Sequence, residues 1–74
     1  MNYKINSNNK TYEITGSWHL NGMNYDFKGS VTNGNKEVMQ LGYSFPLSFH
    51  MRYGIEMMEN EILATVKDHL DYKS

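Results

Sequence analysis

The chain has 74 residues, no cysteine and three histidines, so neither disulfides nor a Cys/His metal cluster can substitute for a hydrophobic core. A hydrophobic content of 39% with a net charge of −1 describes a folded domain rather than a disordered tail, and the length allows one domain, residues 1–74. No stretch approaches the roughly 18 consecutive apolar residues of a membrane span, the opening residues lack the apolar core of a secretion signal, and the lack of cysteine favours a cytoplasmic setting.

The first expected strand covers about residues 2–6. A loop at Ser7–Lys10 pairs Tyr3 with Ile14, Ile5 with Tyr12 and Lys4 with Glu13. The second and third strands, about 11–20 and 23–32, flank Asn21-Gly22, a dipeptide suited to the positive φ angles of a two-residue hairpin turn. Closing the turn on those two residues sets Tyr12 opposite Val31, Ile14 opposite Gly29, Gly16 opposite Phe27, Trp18 opposite Tyr25 and Leu20 opposite Met23. All of these share one face, while Thr11, Glu13, Thr15, Ser17 and His19 share the other with Lys28, Ser30 and Thr32. The inward glycines, Gly16 and Gly29, then lie diagonally adjacent, where missing side chains permit twist or close approach.

A three-residue loop, Asn33-Gly34-Asn35, leads to the fourth strand at about 36–45 and keeps Met39, Leu41 and Tyr43 on the apolar face. A two-residue loop would turn those three toward solvent. Residues 44–54 are double-natured. The alternation of Phe45, Leu47, Phe49, Met51 and Tyr53 is strand-like, and a glycine at 54 inside a helix would cost about 1 kcal/mol, so extended chain to Tyr53 is expected.

Met51, Ile55, Met58, Ile62, Val66, His69 and Leu70 recur at helical spacing and predict a helix over about 55–72. Glu56 and Glu59 near its start and Lys73 near its end suit the helix dipole. The expected fold is therefore α+β, with ββββα order: a four-stranded antiparallel meander, with residues 47–53 available to lengthen it, packed against one C-terminal helix.

Chemistry-bearing patterns are sparse. His19, His50 and His69 lack the short spacings that bring metal ligands onto one element, Ser17 and Ser30 have no evident neighbouring base, and no phosphate-cradling glycine motif occurs, so neither cofactor nor catalytic site is expected. Glu59 stands out among the carboxylates because it borders Ile55, Ile62 and Leu63, as a side chain at the rim of the core would.

Two binding roles remain. One helix, about 10–12 Å wide with its side chains, is too narrow for four strands at about 4.8 Å each. The uncovered apolar margin, together with a second stripe of Tyr53, Met57 and Ala64, points to a homodimer and to a non-catalytic, inhibitor-type protein-binding module. The alternative is weak nucleic-acid binding through Lys4, Lys28, Lys36 and Arg52 on a mildly basic front half. The wealth of Asn, Tyr, Ile and Lys is compatible with an AT-rich bacterial or phage genome.

Overall fold

The computed structural model describes residues 1–72. Among them, β1 (Asn2–Ser7), β2 (Lys10–Asn21), β3 (Asn24–Asn33) and β4 (Lys36–Pro46) form one antiparallel sheet in the order β1-β2-β3-β4, followed by α1 (Leu47–Tyr53) and α2 (Ile55–Tyr72). The α+β class and ββββα order are as expected. Lys73, expected to complement the helix C-terminus, lies outside the described residues.

Each hairpin is set by its turn. Asn8 and Asn9 both adopt positive φ, 55° and 65°, and the β1–β2 register matches expectation, with Tyr3 opposite Ile14 and Lys4 opposite Glu13. The β2–β3 register is displaced by two residues. Gly22, at φ 62°, and Met23 make the turn, so Asn21 stays in the strand opposite Asn24. Ile14 therefore faces Val31, Gly16 faces Gly29, Trp18 faces Phe27 and Leu20 faces Tyr25. A shift of two preserves every side chain's face, and so the apolar set survives the correction.

The directly opposed glycines have a packing reason. A Cβ on Gly16 would overlap the Phe27 ring and the Lys28 carbonyl, and one on Gly29 would overlap the Thr15 carbonyl. Phe27 lies over this gap and is fully buried.

The β3–β4 connection also differs from expectation. Its loop is the two residues Gly34 and Asn35, and Asn33 pairs with Lys36. A bulge between Val31 and Thr32 on the β3 side, where Val38 is the extra β4 residue, then restores the phase, so Val31 meets Met39, Gly29 meets Leu41 and Phe27 meets Tyr43. One inserted residue does what the longer loop was expected to do.

Residues 47–53 are helical rather than an extension of the sheet. Phe49 and Tyr53 are one helical interval apart on α1, with ring centroids 4.7 Å apart, and Phe49 also lies 5.5 Å from Phe45 at the end of β4. Gly54, at φ 85° and ψ 169°, separates α1 from α2, so no helix has to carry the glycine internally.

The core joins Ile14, Phe27, Val31 and Leu41 of the sheet to Ile62, Val66 and Leu70 of α2, with Met58 also fully buried. His69, expected on the apolar stripe, is exposed, as is Met51, which belongs to α1. α2 sits toward β1: the Ser7 hydroxyl donates to the Asp71 carboxylate, Asn8 Nδ2 donates to the Leu70 carbonyl at 3.3 Å, and Lys67 Nζ donates to the Asn6 carbonyl at 3.1 Å. No helix among the described residues is long and apolar enough to cross a membrane.

Candidate interaction surface

One end of the molecule gathers exposed apolar side chains. The Leu47 amide, first in α1, donates to the Met23 carbonyl at 2.7 Å and anchors α1 against the β2–β3 turn. Met51 follows Leu47 by one helical turn. His50 packs edge-on against Tyr25 at 4.9 Å, and Tyr25 stands opposite Leu20. Leu20, Met23 and Met51 thus crowd this end at 64, 77 and 78% exposure, and Tyr53, Ile55 and Met57 are also exposed around the corner at Gly54. The residues beneath them are ordered by aromatic contacts: Trp18 lies 5.5 Å from Tyr25 and 5.9 Å from Phe45, and the Arg52 guanidinium sits 5.4 Å from the Tyr53 ring.

The stripe of Tyr53, Met57 and Ala64 is not continuous. Gly54 places Tyr53 on α1, apart from Met57 and Ala64 on α2. Ala64, two turns beyond Met57, is exposed on the side that also carries Glu61 and Asp68, a solvated polar surface. Sequence reasoning passed over Leu20, Met23 and Met51, because Leu20 and Met51 matched the core pattern. The two-residue shift of the β2–β3 register moves Met23 from the expected third strand into the turn.

Glu59 has a definite role. Its carboxylate accepts the Trp18 indole N–H at 3.2 Å and the Tyr3 hydroxyl at 3.1 Å, tying α2 to β1 and β2. The carboxylate beside it pushes the Tyr3 phenol above its usual value.

The opposite sheet face is polar. Ser17 Oγ lies 2.9 Å from His19 Nε2, so Ser17 does have a neighbouring imidazole, two residues along the same strand face. Asp26 stands across from His19 in the ladder, yet its carboxylate is engaged by the Ser44 hydroxyl at 2.7 Å and Asn21 Nδ2 at 3.1 Å. Those two hydrogen bonds, Ser44 foremost, hold the Asp26 carboxyl below its ordinary value. Two shallow depressions occupy this face, one of about 280 Å³ lined by Asp26, Lys28, Gly42 and Ser44, the other of about 260 Å³ lined by Lys4, Thr11, Glu13 and Thr32.

The four basic residues are dispersed. Lys4 and Lys28 line different depressions, Lys36 begins β4 at the β3–β4 turn, and Arg52 is on α1 at the other end of the strands. Among the described residues, no group of three His, Asp or Glu side chains is placed to hold a metal. Comparison with protein-family models, with curated proteins and with solved structures finds no match for this chain.

Proposed function

We propose that the chain is a small, non-catalytic protein-binding module of inhibitor type that works as a homodimer in the cytoplasm. Its partner-binding surface is the apolar end built by Leu20, Met23, Met51 and Tyr53, with Met57 at its margin. The observation that carries this reading is the exposure of Met23 and Met51, 77 and 78%, on a turn and a helix that the Leu47 N–H to Met23 carbonyl hydrogen bond holds together. Large apolar side chains gathered in one place mark contact surfaces, and methionine's flexible thioether lets such a surface adapt to its partner.

A paired pull-down from the native host tests it. The intact protein should retain a partner that a Met23→Glu/Met51→Glu variant loses and a Lys28→Glu variant keeps. Retention of the same partner by the double glutamate variant would refute the assignment.

A further inference from the structure

The two edges of the sheet are unequal. On β1, Lys67 of α2 reaches the Asn6 carbonyl, and α2 lies alongside. Among the described residues β4 has no such cover, and the direction of its backbone groups follows from the backbone bonds. Met1 and Gly16 exchange both backbone bonds, at 3.0 and 3.2 Å, so the even residues of β2 point at β1 and the odd ones at β3. Carried through the registers, the odd residues of β3 bond the odd residues of β4, and the Leu47 N–H to Met23 carbonyl bond continues that ladder. The N–H and C=O groups of Gln40, Gly42 and Ser44 therefore point outward along the edge.

Natural edge strands are blunted by lysine, proline or bulges. Here those devices sit only at the ends, with Lys36 and the Val38 bulge at one and Pro46 at the other. Between them residues 39–45 are uncharged and alternate apolar with small or polar, a stretch suited to pairing. Among the described residues, no close contact requires a glycine at position 42. A Cβ there would meet nothing within 4 Å and its φ is not positive, whereas Gly16 and Gly29 answer to close contacts. A glycine inside a strand, unexplained by its own fold, fits a place where another backbone approaches.

The geometry points to β4 as the homodimer interface, pairing antiparallel with β4 of a second copy across a two-fold axis at Gly42. The interface rests on the homodimer part of the functional reading and specifies how the copies meet. In this register Gly42 faces its own counterpart and Gln40 faces Ser44, each pair exchanging two hydrogen bonds. On the other face Leu41 adjoins the partner's Tyr43, and Met39 adjoins the partner's Phe45. Met39, Tyr43 and Phe45 are only half-buried within one chain, since α2 lies over the far side of the sheet. The pairing continues their apolar face into one eight-stranded sheet and satisfies the isologous contact that two-fold symmetry requires.

Cross-linking tests the register directly, because the chain contains no cysteine. Residues facing each other in a hydrogen-bonded pair lie about 5.5 Å apart at Cα, within disulfide range. Under mild oxidation Gly42→Cys should cross-link to itself, and a mixture of Gln40→Cys and Ser44→Cys should cross-link to each other in preference to themselves. Sedimentation of the unmodified protein should return twice 8.6 kDa. A dimer in which Gly42→Cys fails to cross-link overturns the interface while leaving the homodimer standing. A monomer at high micromolar concentration, including one whose edge accepts a strand from a different protein, overturns both.

Discussion

The Trp18 indole N–H and the Tyr3 hydroxyl converge on one carboxylate, that of Glu59, at 3.2 and 3.1 Å. This ties residues near the start of the chain to a helix more than forty positions away. A half-buried hydrogen bond to a charged acceptor contributes about 1.5–3 kcal/mol. Trp18→Phe, which keeps an aromatic ring and removes the donor, should cost about 1–2 kcal/mol in urea unfolding. Trp18→Ala also abandons the contacts with Phe27, Tyr25 and Phe45 and should cost about 3–5 kcal/mol. A loss under about 1 kcal/mol for the alanine variant would contradict the packing described.

The facing glycines make a sharper contrast. Gly29→Ala drives a methyl into the Thr15 carbonyl and should destabilise by about 1–3 kcal/mol, since the obstruction is backbone and cannot swing aside. At concentrations too low for two copies to associate, Gly42→Ala meets open space and should leave unfolding free energy within about 0.5 kcal/mol. Equal effects at the two positions would be inconsistent with this geometry.

Two carboxylates contribute to the acid response. The Ser7 hydroxyl, and secondarily Lys67, holds Asp71 below the ordinary carboxylate range, and Ser44 with Asn21 does the same for Asp26. A folded value below the unfolded one means that the unfolded chain binds the proton more readily. The stabilisation is therefore present above the unfolded value of about 4 and is lost as pH falls through the folded values. Tyr3 acts with opposite sign at the alkaline end: its raised value gives stabilisation that is complete below about pH 10 and disappears above it. Carboxyl NMR titration should show the Asp71 midpoint rising in Ser7→Ala while that of Asp26 stays in place.

Dispersal of Lys4, Lys28, Lys36 and Arg52 predicts weak electrostatics toward nucleic acid. Titration with single- and double-stranded oligonucleotides should show no steep salt-dependent affinity, and Lys28→Glu should change little. A log–log salt slope of about −3 or steeper would require several phosphate contacts made together and would revive that reading.

The sorting of side chains to two faces was legible because strand periodicity is two: Tyr12, Ile14 and Trp18 share a side of β2, and Phe27 joins them in every register that differs by an even number of residues. The pairing itself was less legible. Asn21-Gly22 signals a turn, but one positive φ at Gly22 suffices, and Asn21 returns to the strand. Loop length alone misjudged β4, because an internal bulge at Val38 can restore a phase that the loop loses. Phe45, Phe49 and Tyr53 fit periods of two and of about four at once, and the chain changes from strand to helix between Phe45 and Phe49, where the Phe49 ring lies between those of Phe45 and Tyr53. The apolar end escaped notice because exposure depends on which elements stop short, and spacing along one element does not report that. Ser17 and His19 were adjacent on a strand face all along, two residues apart.

The contacts between β1 and α2 join residues such as Ser7 and Asp71, 64 positions apart. Phe27, Val31 and Leu41 of the meander are covered by Ile62, Val66 and Leu70, which follow them in the chain, so a segment that holds the four strands without α2 leaves that apolar face open. The sheet is thus the part of the molecule most exposed to misassembly until α2 docks on it.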